Sequence, residues 1–253
     1  MVRIIMYGCN GKMGQNISAL AETDDQCKIV AGVDINNVRK NDYPVYLPEE
    51  EIQEEADVII DFSSTQRFAE RLAFAKKRKL PVVLCTTGFS AEQLEEVKEA
   101  SKEIAILRSA NMSLGINTLM KLVAAATKVF SESGFDIEIV EKHHNRKVDA
   151  PSGTALAIAD AINEVLTEEY AYKFDRSSER KPREKKEIGI SSVRGGTIVG
   201  EHEVIFAGPD EVLEIKHTAY SKGIFGNGAL QAAKYLAGKP AGMYNMNDVI
   251  GQQ

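Results

Sequence analysis

The first 112 residues alternate short apolar runs with helical patterns, and this alternation restricts the fold more than any other feature of the chain. The apolar runs are almost continuous, as expected for strands that are buried on both faces of a parallel sheet. Between them, apolar residues recur at helical spacing, as at Phe68, Leu72 and Ala75. The predicted strands cover residues 2–7, 28–33, 57–62, 81–86 and 104–108. The sequence therefore predicts an α/β fold with a doubly wound, Rossmann-like parallel sheet.

The pattern changes in the second half of the chain. After a helix that includes residues 119–130, apolar and polar residues alternate from Phe135, which predicts a strand with one solvated face. Three more alternating strands are separated by glycine-rich turns and should form an antiparallel meander. These strands are predicted at 187–194, 197–206 and 211–218, helices at 154–166 and 229–237, and a long mobile loop at 167–187. We therefore expect a dinucleotide-binding domain over 1–112 and an α+β domain with a mostly antiparallel sheet over 113–218.

A glycine-rich turn, YGCNGKMG, follows the first predicted strand and opens the first helix. Gly8, Gly11 and Gly14 have the spacing G-x-x-G-x-x-G, which allows a tight turn and lets a pyrophosphate approach a helix N-terminus. Asp34 ends the next strand, where a carboxylate can accept hydrogen bonds from an adenosine ribose. The alternative is a glycine-rich turn without a ligand. Strand, turn, helix, strand and acid in this order favour dinucleotide binding.

The stretch EKHHNRKVDAPSGTA gathers basic residues in a chain whose formal net charge is -6. His143 and His144 are adjacent on a predicted strand and point to opposite faces, so they make a poor metal chelate and no metal is expected. Ser152 is a good N-cap, and the N–H groups of Gly153 and Thr154 would then form an anion-binding site beside the cluster. A small dicarboxylate fits this arrangement. A solvated basic loop is the open alternative.

Composition narrows the remaining function classes. The net acidity argues against nucleic acid as the main partner, and no apolar run approaches the roughly 20 residues of a membrane span. Cys9, Cys27 and Cys85 are odd in number and widely spaced, which fits neither a disulfide framework nor a zinc site. No signal-peptide pattern precedes the first predicted strand. Cytoplasm is the expected compartment.

Five motifs together resemble the 4-hydroxy-tetrahydrodipicolinate reductase (dihydrodipicolinate reductase) family. They are EKHHNRKVDAPSGTA, GCNGKMG, CTTGF, SANMS and GGTIVGEHEVIFAG, and the resemblance runs from residue 4 to residue 249. It implies an oxidoreductase that uses NADH or NADPH to reduce 4-hydroxy-tetrahydrodipicolinate to tetrahydrodipicolinate in lysine and diaminopimelate synthesis. It also implies that residues 219–253 rejoin the Rossmann-like domain and that the central domain builds a homotetramer.

The resemblance also assigns site residues. It implies that His143 and Lys147 serve as acid/base and proton donor, that His144 contacts the substrate, and that the segment Ser152, Gly153 and Thr154 holds a carboxylate. The implied cofactor contacts are Gly8, Cys9, Asn10, Gly11, Lys12, Met13, Asp34, Cys85, Thr86, Thr87, Ser109, Ala110, Asn111 and Met112. Many family members have glycine where this chain has Cys85, which puts the closeness of the backbone approach in doubt.

Cofactor choice and two rival functions complete the expectations. Asp34 suits the free ribose hydroxyls of NADH, while Lys12 or Arg39 could reach the phosphate of NADPH, so both cofactors are expected to work with NADH at least as efficient. One rival is another two-domain dehydrogenase, such as diaminopimelate or aspartate-semialdehyde dehydrogenase. The other is a nucleotide-sensing regulator, which would not require His143 and Lys147 beside the anion-binding site.

Overall fold

The computed structural model describes residues 1–36, 38 and 41–251, which form two units. Unit 1 comprises Met1–Leu114 together with residues 223–251, and unit 2 comprises Gly115–Lys222. Each unit has its own sheet. No helix of the described residues combines the length and the hydropathy needed to cross a membrane.

Unit 1 is built on a seven-stranded sheet in which every neighbouring pair is parallel. Its strands are β1 (Val2–Tyr7), β2 (Cys27–Val33), β3 (Val45–Tyr46), β4 (Val58–Asp61), β5 (Val82–Leu84), β6 (Ala105–Arg108) and β12 (Gly242–Tyr244). The order is β12-β6-β5-β4-β1-β2-β3. The chain leaves β1 toward β2 on one side and returns to β4 on the other. This reversal is the point at which open α/β sheets bind ligands.

Helices cover both faces of this sheet, as the doubly buried strands predict. Along β1, Ile4 and Met6 pack on one side while Ile5 and Tyr7 pack on the other, and all four are buried. The helices are α1 (Lys12–Glu22), α2 (Phe68–Arg78), α3 (Ala91–Ala100), α6 (Gly223–Leu236) and α7 (Met246–Ile250), with a short 3-10 helix at Glu49–Glu51. The Rossmann-like prediction is confirmed.

The final long helix, α6, begins earlier than the predicted start at residue 229. Gly226 and Gly228 lie in its first turns, and glycine lowers helix propensity enough to hide them from a sequence pattern. Packing explains their presence. A Cβ on Gly228 would lie 1.7 Å from the carbonyl oxygen of Met112, and one on Gly226 would lie 2.5 Å from Oδ1 of Asn16. Gly238, with φ +78°, follows the helix as predicted.

Unit 2 contains a five-stranded mixed sheet in the order β11-β10-β7-β9-β8. Its strands are β7 (Asp136–His143), β8 (Ala171–Lys173), β9 (Glu187–Arg194), β10 (Gly200–Ala207) and β11 (Val212–Ala219), and its helices are α4 (Leu114–Phe130) and α5 (Gly153–Asn163). The pairs β7–β10 and β10–β11 are antiparallel, whereas β7–β9 and β8–β9 are parallel. Both helices contribute to the apolar core on one face of the sheet.

The predicted meander is wrong, because β7 lies between β9 and β10. Only β10 and β11 form the expected antiparallel hairpin. The connection after β9 passes over the end of β7, where the N–H of Gly195 donates to the carbonyl of His143 and the carbonyl of Gly196 accepts from Asn145. Burial favours this order. The core-facing Ile137 and Ile139 of β7 are almost completely buried, as is typical of a central strand.

The predicted loop over 167–187 contains an additional strand, β8, which the sequence analysis missed. Two arginines hold the segment that follows it. Arg176 donates to Glu138 at 2.7 Å, and Arg183 donates to Glu138 at 3.2 Å and to the carbonyl of Glu187 at 2.8 Å. The sequence pattern of this charged segment predicts a solvated loop, but its arginines form ion pairs with residues of the sheet.

Candidate functional site

The glycine turn of unit 1 brings backbone atoms into contacts that a side chain would block. Gly8 has φ +76°, and a Cβ there would lie 2.7 Å from the carbonyl oxygen of Phe62. A Cβ on Gly14 would lie 2.2 Å from the carbonyl oxygen of Gly8. The turn therefore packs directly on the start of α1, whose N-terminus is an anion-binding position.

Asp34 is oriented by the same turn. Its Oδ2 accepts the backbone N–H of Asn10 at 2.9 Å, and its Oδ1 accepts the N–H of Asn36 at 2.9 Å. Each oxygen keeps acceptor capacity beyond these bonds, so the carboxylate can still receive ribose hydroxyls. Asp34 and the glycine turn, which are 24 residues apart in sequence at Asn10, are therefore in direct contact.

A cavity of about 400 Å³ lies beside the turn, at the reversal between β1 and β4. Four of the predicted cofactor residues line it: Gly8, Asn10, Gly11 and Asp34. Its wall also includes Ile35, Glu49 and Arg67, which the sequence analysis did not single out for binding. Arg67 pairs with the buried Glu49 at 3.1 Å. The volume and the mixed apolar and polar wall suit a nucleoside.

The other predicted cofactor residues lie outside this cavity. The side chain of Cys9 is buried beneath the turn against Gly32 and Tyr43, and burial raises the pKa of its thiol to about 12. Lys12 is exposed on the first turn of α1, beside Met13. The segments Cys85–Thr87 and Ser109–Met112 follow β5 and β6 at the carboxyl edge of the sheet, where Thr86 donates to Asp61 at 3.0 Å. Arg39 lies outside the described residues.

In unit 2, polar residues replace apolar ones at one end of the sheet. Across four neighbouring strands, a row of apolar residues is followed, one position further along the same face toward this end of the sheet, by a row of polar residues. The apolar row is Ile190, Ile139, Val204 and Ile215, and the polar row is Ser192, Glu141, His202 and His217. With His143 and His144 at the end of β7, all four histidines of the chain stand at this end of the sheet.

Glu141 is at the centre of this polar end and is 0 % exposed. Its Oε2 lies 2.6 Å from Nδ1 of His143 and accepts from Nη1 of Arg194 at 2.7 Å. Its Oε1 accepts from Nη2 of Arg194 at 2.6 Å and from the N–H of Ser152 at 3.1 Å. Burial alone would raise the pKa of Glu141, but the hydrogen bonds from Arg194 and His143 outweigh it and lower the pKa to about 2.

His202 is neutral at pH 7. Burial is the main cause that lowers its pKa to about 4. The hydroxyl of Ser152 accepts from the N–H of Ala155 at 3.1 Å and lies 3.1 Å from Nε2 of His202, so its own hydrogen is available to that nitrogen. Burial also lowers the pKa of His217. Among the residues that the structure describes, no three side chains are arranged as ligands for a metal ion.

Ser152 caps α5 as predicted, but the site at the start of that helix already holds a carboxylate. Asp149 pairs with Nζ of Lys147 at 2.8 Å and accepts the backbone N–H of Gly153. The lysine and the helix N-terminus converge on one carboxylate, and they hold the pKa of Asp149 below its ordinary value.

Sequence reasoning missed Glu141, Arg194 and Asp149. One local signal was available for Glu141: it stands two residues before His143 and therefore on the same face of a strand whose other residues on that face are apolar. No local signal indicates Arg194, which is 53 residues from Glu141.

Comparisons with known proteins cover nearly the whole chain. The family model described as dihydrodipicolinate reductase, N-terminus, matches residues 2–112, and the model described as dihydrodipicolinate reductase, C-terminus, matches residues 115–250. A 4-hydroxy-tetrahydrodipicolinate reductase from Caldanaerobacter subterraneus subsp. tengcongensis is 57% identical over 99% of this chain and 98% of its own. One from Clostridium tetani is 49% identical over 99% of this chain and 97% of its own.

Solved structures share the fold. A dipicolinate-bound dihydrodipicolinate reductase from Paenisporosarcina sp. TG-14 has a TM-score of 0.82 at 24% identity and covers 99% of both chains. The DAP dehydrogenase of C. glutamicum has a TM-score of 0.56 at 13% identity, over 97% of this chain and 92% of its own. At these identities the likeness concerns architecture only.

Proposed function

The chain belongs to the dihydrodipicolinate reductase family. We propose that its two units bind the two reactants of the reaction that the family catalyses. Its activity is the NAD(P)H-dependent reduction of 4-hydroxy-tetrahydrodipicolinate to tetrahydrodipicolinate, a step of lysine and diaminopimelate synthesis. Unit 1 binds the nicotinamide nucleotide, and unit 2 receives the dicarboxylate. The full-length similarity to curated reductases favours this function over a regulator or another dehydrogenase.

The observation that carries the substrate assignment is the position of Asp149. Its carboxylate contacts Lys147 and the Gly153 N–H together, which indicates that a single carboxylate can reach both groups. One carboxylate of the substrate takes the place of Asp149 there and adds the second N–H of the helix N-terminus, at Thr154. The two anions compete for one site, in which Lys147 and the neighbouring basic cluster favour the dianion.

Lys147 delivers the proton that the reduction requires. When bound, the cofactor would supply a hydride to carbon, and Lys147 would stabilise the excess electron density that the substrate then carries. Lys147 stands on a flexible stem, and its side chain is 23% exposed, so it can reach a ligand in the solvent-facing site. We assign His143 to acid/base exchange with the substrate and His144 to substrate contact.

The cavity of unit 1 holds the adenosine half of the cofactor. Asp34 receives the ribose hydroxyls, which makes NADH at least as good a cofactor as NADPH. Ile35 lines the same cavity and is 81% exposed, so a basic side chain there would meet a 2′-phosphate. Ile35→Arg should raise kcat/KM for NADPH ~10-fold, equivalent to about 1.4 kcal/mol. A wild-type preference of tenfold or more for NADPH would mean that a cation such as Lys12 already binds the phosphate.

We also propose a homotetramer in the cytoplasm. Helices cover one face of the unit 2 sheet, and its edge strand β11 exposes Val212 and Leu213. Pairing between copies would cover these residues. The three cysteines are free thiols, in keeping with a reducing compartment. Light scattering at micromolar concentration should give four times 27.8 kDa, and a monomer would contradict the assembly.

The decisive experiment follows NADH absorbance with enzymatically generated 4-hydroxy-tetrahydrodipicolinate. Turnover that depends on this substrate supports the proposal. If no turnover occurs, the nucleotide-sensing regulator and the other two-domain dehydrogenases become the better explanations. Pyridine-2,6-dicarboxylate should compete with the substrate. Thr154→Pro removes one N–H of the helix N-terminus and should weaken that competition, whereas equal inhibition of a folded variant would remove the helix from the binding site.

A further inference from the structure

The further inference concerns Glu141, a residue without a role in the proposed binding of substrate or cofactor. Both of its carboxylate oxygens are fully engaged inside unit 2. They accept two hydrogen bonds from Arg194, one from the N–H of Ser152 and one from His143, and the side chain of Ser192 also hydrogen-bonds the carboxylate. Such a saturated buried carboxylate can hold its partners in one arrangement.

The contact with His143 determines where the imidazole carries its proton. Arg194 keeps the carboxylate ionised, and an ionised carboxylate can only accept hydrogen bonds. Nδ1 of His143 must therefore be the donor across the 2.6 Å contact. In the neutral ring this leaves Nε2 as the basic nitrogen, the arrangement that an acid/base histidine needs.

The same carboxylate is bonded to the N-terminus of α5. The N–H of Ser152 donates to Oε1 of Glu141, and Arg194 extends the connection by donating to the carbonyl of Asp149 at 2.6 Å. The histidine and the carboxylate-binding segment thus share one anchor. A substitution of Glu141 should therefore alter the position of both His143 and the N-terminus of α5.

We propose that Glu141 is a positioning residue that fixes the tautomer of His143 and aligns it with the substrate-binding N-terminus of α5. The proposal rests on the proposed function, because the acid/base role of His143 belongs to that function. Glu141 itself touches neither reactant. It acts through His143 and Ser152.

The test compares three variants. Glu141→Gln keeps the shape but removes the charge; its amide oxygen should turn to Arg194 and its NH₂ to His143, which would move the ring hydrogen to Nε2. Glu141→Asp keeps the charge that Arg194 needs but withdraws the carboxylate from His143. Glu201→Gln is the matched control, since Glu201 is a carboxylate at the same end of the sheet that pairs with Lys142 and Lys216.

Two measurements, the tautomer of His143 and kcat, distinguish a role of Glu141 in positioning His143 from a role in protein stability alone. Nitrogen-15 NMR of the ligand-free protein should show the Nδ1–H tautomer of His143 in wild type and Glu201→Gln, and the Nε2–H tautomer in Glu141→Gln. The kcat of Glu141→Gln should fall ~10²-fold and that of Glu141→Asp ~10-fold, because misplacement by about 1 Å can cost that much. Glu201→Gln should stay within about twofold of wild type.

An unchanged tautomer with unchanged kcat in either folded Glu141 variant overturns the proposal and leaves Glu141 a structural residue. If Glu141→Gln does not fold, the His143 tautomer and the kcat of Glu141→Asp test the proposal instead. The NMR result needs neither substrate nor cofactor. It therefore stands apart from the turnover assay, in which an inactive wild type would contradict the proposed function instead.

Discussion

The two proposed binding regions of this chain are built in opposite ways. Around the glycine turn, the absence of side chains at Gly8 and Gly14 lets backbone atoms meet at distances that a Cβ would prevent. At the polar end of the unit 2 sheet, charged side chains define the site, and the buried Glu141 holds them together. The geometry of the glycine turn therefore depends on close backbone packing, and the geometry of the polar end of the unit 2 sheet depends on charged side chains. Substitutions that add volume should therefore damage nucleotide binding, whereas substitutions that remove charge should damage the chemistry.

The largest effect is expected at Lys147. Lys147→Ala should lower kcat by ~10²-fold or more, because it removes the proposed general acid. NADH affinity, measured by fluorescence titration, should not change, since the cofactor cavity lies in unit 1. Lys142→Ala is the matched control, because Lys142 pairs with Glu201 and not with Asp149. An unchanged kcat would remove Lys147 from the chemistry.

Acid should act on the charge-defined region through Glu141. Its pKa is about 2 in the folded protein against an ordinary 4.5, so its contribution to the free energy of unfolding is complete above pH 4.5 and is lost as the pH falls through 2. The loss should amount to about 3 kcal/mol. Denaturant unfolding of wild type and Glu141→Gln from pH 6 to pH 2 isolates it. A stability difference that does not narrow toward acid would mean that Glu141 is not held ionised.

Added volume should damage the shape-defined region. Gly14→Ala places a Cβ against the carbonyl of Gly8, and overpacking of this kind costs about 1–3 kcal/mol, which corresponds to roughly 5- to 150-fold in NADH affinity. Binding of pyridine-2,6-dicarboxylate, measured by calorimetry, should be retained. Gly195→Ala is a suitable control because a Cβ there meets nothing within 4 Å. Equal NADH affinity in Gly14→Ala would show that the turn can relax.

A smaller effect is expected at Gly200, where shape matters inside the charge-defined region. A Cβ there would lie 3.1 Å from Nε2 of His143, so the imidazole must shift by a few tenths of an ångström. Gly200→Ala should reduce kcat ~10-fold with NADH affinity unchanged, because a small misplacement of an acid/base group slows the reaction. Gly195→Ala again serves as the control. Full activity in Gly200→Ala would argue that the position of His143 is not critical.

The features that the sequence by itself determined are local ones. Continuous apolar runs, the glycine spacing and the capping residue Ser152 each depend on neighbours a few residues away, so the parallel sheet, the glycine turn and the start of α5 could be predicted. Their physical cause is the geometry of one strand or one helix, which a short segment already contains.

Only the tertiary structure decided the order of the second sheet and the partners that it creates. The placement of β7 between β9 and β10 sets Glu141 opposite both Ser192 and His202 and brings Arg194 to its carboxylate. The pairing of β10 with β11 adds His217 to the same row. Strand order and register depend on contacts between residues far apart in sequence, and the alternating pattern of each strand is compatible with several neighbours. The sequence could therefore indicate a basic cluster and, through the alternation along β7, the burial of Glu141, while the partners of that carboxylate depend on the strand order.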